Sequence, residues 1–282
     1  MISFGTVLQA VLPIYLLVTL GCFLRWRRVV TAEMEKGLMN LVVHCLMPCL
    51  ILDKILASEL VRRPDVVGWG IGLGFAVVVT GFAVAGGVGR LLGLQKGSGA
   101  RTFALAGGIQ NYGYVAIPLL AVLFMKDGGN EALGMLFIHS LGVELALWLV
   151  GLMVLTGSVK GSLHLLINGP IVSVIVGLFL VYTQVDRVIA PDSDWLPGQV
   201  LRQVMSWLGA CAFPVALLLI GATMFGLIGE ERPSFKIGMG AVLVRTFIMP
   251  CLIILAAKFL PLITELKQVL LVQAAMPAAV AP

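Results

Sequence analysis

Gly107-Gly108-Ile109-Gln110-Asn111-Tyr112-Gly113-Tyr114-Val115-Ala116-Ile117-Pro118 lies in the middle of an apolar stretch, residues 100–125, long enough to cross a membrane. Glycines, an amide pair and a proline are poor material for a continuous helix. Proline removes one backbone donor and frees a carbonyl one turn earlier. In lipid such groups must find partners, so unwound backbone survives only against protein or a water-filled cavity. The stretch therefore predicts a broken helix whose half-helix ends face a solute. The alternative is a kinked, glycine-packed helix with Asn111 bonded to a neighbour. A second candidate break, Ala274-Ala275-Met276-Pro277-Ala278-Ala279, favours the first reading. The two interruptions are expected to approach each other.

The chain around these breaks suits a lipid solvent. Of its 282 residues, 60% are hydrophobic and only 12% charged, with a mean hydropathy of +1.05. Soluble domains carry about twice that share of charge. A net charge of +5 taken alone would suit a nucleic-acid partner, but the basic residues sit in short clusters between apolar runs, such as Arg25, Arg27 and Arg28. That is the pattern of membrane loops, and no nucleic-acid partner is expected. Cys22, Cys45, Cys49, Cys211 and Cys251 all fall in apolar runs without zinc-site spacing, so neither a metal nor another cofactor is expected. Val7 to Leu24 has no basic leader and reads as a retained first helix.

A span needs about 20 apolar residues. By that ruler spans fall near 6–25, 37–57, 66–92, 100–125, 131–156, 163–184, 199–228, 235–259 and 264–282. Polar residues 31–36 are expected at the membrane surface, Gly157 to Ser162 as a short break, and Gln184 to Gly198 as a solvated loop. Loops after odd-numbered spans hold ten Lys and Arg, those after even-numbered spans eight, which favours an N-terminus outside the cytoplasm of an inner-membrane, multi-pass protein. Pro48 and Pro118 stand in the second and fourth spans, and Pro214 and Pro277 in the corresponding spans of the other half. Five spans per half make the second copy inverted, a construction common in secondary transporters. The expected repeats are 1–157 and 158–282, and because the chain stops inside its ninth span it is expected to be truncated before a tenth.

At Asn111-Tyr-Gly113-Tyr-Val-Ala-Ile-Pro118 and Ala275-Met276-Pro277-Ala278 the chain resembles the crossover motifs of auxin efflux carrier family transporters. Leu208-Gly-Ala-Cys-Ala-Phe-Pro214-Val-Ala-Leu-Leu-Leu-Ile-Gly221-Ala is similar to that family's seventh helix, and Leu46-Met-Pro48 to its second. Ala116 stands where the family often has glycine. The resemblance implies an all-α membrane protein: a ten-helix, inverted-repeat (5+5) transporter fold with two broken crossing helices, the tenth helix absent here. Helices one, two, six and seven would form a scaffold, and the rest a moving domain. It also implies export or exchange of a small organic anion, a carboxylate, by a homodimer in the lipid bilayer. Gln110, Asn111, Tyr112, Gly113, Pro118, Met276 and Pro277 are the substrate-binding candidates.

Glu144 in the fifth span and Arg245 in the eighth are costly at mid-membrane and are functional candidates by default. The plain alternative is that they pair and hold the fold together; Ser140 lies one turn before Glu144 to support it. With His139 they are the candidates for proton or sodium coupling or for structural charge. Glycines 68, 70, 72 and 74 of the third span predict close helix packing. An intramembrane enzyme would need paired acidic clusters, a zinc motif or a serine or aspartate dyad, and none stands at recognisable spacing. A channel would call for rings of charged or filter residues. A carrier of the bile acid/sodium symporter or cation/proton antiporter type is the nearer alternative.

Overall fold

A computed structural model describes residues 4–95, 99–113, 115–124, 129–156, 168–189, 194–228 and 234–278. Every regular element among them is a helix: α1 Phe4–Trp26, α2 Ala32–Ala57, α3 Pro64–Leu91, α4 Ala100–Gly108, α5 Ala116–Phe124, α6 from Gly129–Ala146 through Leu152–Thr156, α7 Gly169–Tyr182, α8 Leu196–Gly226, α9 Phe235–Phe259 and α10 Thr264–Ala275. Six of these (α1, α2, α3, α6, α8 and α9) are long and apolar enough to span a membrane, and α7 is a shorter apolar helix. The expected break at 157–162, the start of the sixth span, Pro191 and Asp192 of the loop, and 279–282 lie outside the described residues.

The chain divides into two compact units. The first contains residues 1–64, 117–137 and 167–228, and so gathers α1, α2, α7, α8, most of α5 and the start of α6. Here α1 and α8 pack backbone to backbone. A Cβ on Gly221 would stand 1.9 Å from the Val18 carbonyl oxygen, and Cys22 Sγ donates to the Gly221 carbonyl at 3.0 Å. Residues 32–36 form the N-terminal part of α2. Thr31 caps it, its hydroxyl accepting from the Met34 N–H at 3.3 Å, while Glu35 accepts from the Thr223 hydroxyl at 2.5 Å and pairs with Arg25. Asp186, expected in a solvated loop, is instead buried, because the turn Val185–Arg187 presents it to the Arg62 guanidinium. A buried carboxylate persists where such a cation offsets its desolvation.

Glu131 joins three donors in the same unit: the Ser58 hydroxyl at 2.5 Å and the N–H groups of Glu59 and Leu60 at 2.8 and 3.0 Å. Glu131→Gln keeps the shape and loses the charge that strengthens all three bonds. It should lower stability by about 1–2 kcal/mol, seen as an earlier thermal midpoint in detergent; an unchanged midpoint would show that the cluster contributes nothing.

The second unit contains 65–116, 138–166 and 229–282, hence α3, α4, the rest of α6, α9 and α10. Its apolar centre joins Val78 and Phe82 of α3 to Val143 and Ala146 of α6. The third-span glycines divide. Gly74 lies against α6, where a Cβ would meet the His139 carbonyl oxygen at 2.0 Å, whereas Gly68 and Gly72 have nothing within 4 Å. Packing therefore explains Gly74 and not those two.

Two prolines share one local construction. Val42–Leu46 of α2 and Val244–Ile248 of α9 are single π-turns, followed respectively by Met47-Pro48-Cys49-Leu50 and Met249-Pro250-Cys251-Leu252. A proline ring collides with the carbonyl one turn earlier, and a widened turn makes room for it. Arg245 sits in the second of these turns.

Candidate functional site

The fourth span is interrupted between Gly108 and Ala116. After α4 the backbone is extended at Ile109 (φ −91°, ψ 128°), and α10 ends the same way at Met276 (φ −75°, ψ 137°). Within the second unit these two extended pieces lie side by side. Gln110 forms an isolated antiparallel bridge with Ala278, and the Asn111 N–H donates to the Pro277 carbonyl at 2.9 Å. Pro277 lacks an N–H, so it accepts from Asn111 and has no donor to return. The chain turns at Asn111, where the Tyr112 N–H donates to the Gln110 carbonyl at 2.9 Å.

Freed backbone groups find specific partners. Arg245 Nη2 donates to the Met276 carbonyl at 3.3 Å, and Gln273 Nε2 donates to the Tyr112 carbonyl at 3.1 Å. The Arg245 contact has an electrostatic reason. Two helices, α4 and α10, bring their carbonyl-bearing C-terminal ends to this crossover, and the summed peptide dipoles make such ends negative. A guanidinium beside them offsets both. Arg245 is 4% exposed, and its Nε and Nη1 have no hydrogen-bond partner.

Glu144 and Arg245 both reach the crossover, but not each other. The Glu144 carboxylate accepts from the Tyr112 hydroxyl and, at 2.8 Å, from Trp148 Nε1. Tyr112 is thereby held at both ends, its carbonyl by α10 and its hydroxyl by α6. Glu144→Gln leaves only one oxygen for two donors. It should cost about 1 kcal/mol of stability and raise the substrate concentration for half-maximal transport several-fold; an unaltered half-saturation would separate Glu144 from the site.

The structure thus gathers Gln110, Asn111, Tyr112, Met276, Pro277, Glu144 and Arg245 in one unit. Gln110 is fully buried with both amide atoms unpartnered, and Asn111 is 8% exposed. Gly113 follows with nothing within 4 Å of a Cβ placed on it. Pro118 belongs to the first unit, as the third residue of α5, two residues after the helix begins. His139 is fully buried with neither ring nitrogen partnered and takes no part in the crossover hydrogen bonds. Gln273 is the residue the sequence reading passed over; a lone amide one turn before Pro277 was its only signal.

No curated protein matches the chain. A family profile described as membrane transport protein matches residues 6–164 and 152–282. Those two segments take in the first break and the second, together with every helix that positions them. The chain therefore belongs to the membrane transport protein family, the auxin efflux carrier family domain, and is a multi-pass membrane transporter of a small substrate and not an enzyme.

Proposed function

We propose that this transporter moves a small organic anion, a carboxylate, by alternating access at the crossover of residues 109–113 and 276–278. One observation carries the reading: at the crossover, where the Asn111 N–H is spent on Pro277, the described residues include a buried Gln110 with both amide atoms unpartnered and a buried Arg245 with two unpartnered nitrogens. An amide donor and a cation suit a carboxylate. Gln110, Tyr112, Gly113, Met276 and Pro277 shape the same place, and Pro118, in the first turn of the following half-helix, lacks a donor that would have no partner within the helix there.

The fuller architecture belongs to the same proposal. Two inverted repeats, 1–157 with five spans and 158–282 with four of its five, would each contribute to both units. The grouping of α1, α2, α7 and α8, the first, second, sixth and seventh spans, supports a scaffold made of them. A homodimer through that scaffold, placement in the inner membrane with the N-terminus outside the cytoplasm, and a proton or sodium as coupling ion, with Glu144, Arg245 or His139 engaged, complete it.

Purified protein in proteoliposomes, offered labelled mono- and dicarboxylates with and without proton or sodium gradients, tests the reading. Saturable uptake of one carboxylate class is expected. Uptake of amines or sugars with no carboxylate transported would overturn it.

A further inference from the structure

Two helices end at the crossover, α4 at Gly108 and α10 at Ala275. A helix C-terminus carries about half a negative charge, so the two ends together call for about one positive charge. In carriers built from broken helices that charge is often a sodium ion, held by half-helix C-terminal ends and unwound carbonyls. Oxygens of this kind are present here. Besides the Met276 carbonyl, Gln273 keeps its Oε1 unpartnered while its Nε2 is spent on the Tyr112 carbonyl, and the Oε1 of the buried Gln110 is unpartnered too.

The chain itself supplies the charge. Arg245 reaches in from the π-turn of α9 and donates to the Met276 carbonyl at 3.3 Å. Among the described residues it makes no ion pair. The acids among the described residues of this unit are Asp65, Glu144 and Glu265. Asp65 and Glu265 stand in the first turns of α3 and α10. Glu144 is held at the hydroxyl end of Tyr112, one oxygen on that hydroxyl and the other on Trp148. The guanidinium is therefore answered by carbonyl ends and not by a carboxylate. Two like unit charges about 4 Å apart, at the effective dielectric of a protein, repel enough to weaken binding roughly a thousandfold. Sodium is excluded from these carbonyls while Arg245 is there.

We propose that Arg245 is the built-in counter-ion of the crossover. It occupies the place of a coupling sodium, the carrier works without that ion, and removing the guanidinium opens a monovalent-cation site at the Met276 carbonyl, with the Gln110 and Gln273 side-chain oxygens as further ligands. The proposal rests on the crossover being the transport site, and it narrows the coupling ion there.

The first test contains no solute. Purified full chain in detergent is heated in sodium chloride and in choline chloride at equal ionic strength. Wild-type protein should have one midpoint in both. Arg245→Ala should melt earlier in choline and recover as sodium is added at millimolar concentration, the gain that loss of a thousandfold repulsion predicts. Arg245→Lys keeps the charge and should ignore sodium. A sodium response in wild type or in Arg245→Lys would overturn the proposal, as would a folded Arg245→Ala protein indifferent to sodium. Where Arg245→Ala does not fold, wild type and Arg245→Lys decide together with flux. Wild-type carboxylate counterflow should run at the same rate in sodium and in choline, and a rate several-fold higher in sodium would overturn the proposal. Midpoints as expected with no carboxylate counterflow would support the counter-ion and sink the carboxylate reading alone.

Discussion

Gly108→Val should unfold the protein at a markedly lower temperature and abolish transport. The Cβ it introduces would stand 2.7 Å from the Gly81 carbonyl carbon and 2.8 Å from both the Gly81 oxygen and the Phe82 nitrogen. All three are backbone atoms, so no side-chain rotation relieves the clash and α4 must move away from α3. Overpacking of this kind costs about 1–3 kcal/mol, and more when backbone is the obstacle. The functional loss follows from position, because Gln110 and Asn111 begin two residues later and their pairing with 277 and 278 is set by where α4 ends. Gly72→Ala is the matched control on α3. Nothing lies within 4 Å of its new methyl group, and alanine is the better helix former by roughly 1 kcal/mol. Its thermal midpoint should stay level or rise. Equal behaviour of the two variants would remove the close α3–α4 approach from the account.

The sequence made some of this visible and concealed the rest for physical reasons. The break after Gly108 was legible because glycines and paired amides at mid-membrane disfavour a helix; proline alone was no guide, since Pro13 and Pro214 lie inside continuous helices and Pro118 lies within α5. The approach of 110–111 to 277–278 was expected only because the second break had similar composition; the hydrogen bond itself could not be read from either segment. Glu144 and Arg245 announced themselves as charges in apolar runs. Their partners did not, since Tyr112, Trp148 and the Met276 carbonyl are ordinary residues until the fold brings them within reach. Gln273 was lost for the same reason. Glycine density misled in α3, where Gly74 is packed and Gly68 and Gly72 are open. Asp186 misled because a carboxylate among prolines and aspartates reads as solvated unless its cation, Arg62, more than a hundred residues earlier, is seen.

The second large effect is expected from Asn111→Ala. The backbone N–H of residue 111 would still reach the Pro277 carbonyl, so the crossover should keep its geometry and the protein its thermal midpoint. What disappears is the side-chain amide. If it donates to the transported carboxylate, its removal should weaken solute binding by about 1–3 kcal/mol, the range for a buried polar partner left unsatisfied. Arg245 would still attract the anion but would no longer fix its orientation.

Counterflow in proteoliposomes tests this most directly. Vesicles carrying wild-type protein, loaded with an unlabelled carboxylate, should take up the labelled compound in a saturable overshoot, and vesicles carrying Asn111→Ala should need roughly tenfold or more substrate for the same rate. Non-saturable, ohmic flux in the wild type, or an Asn111→Ala protein whose counterflow matches it, would contradict a carrier whose solute is held at the crossover.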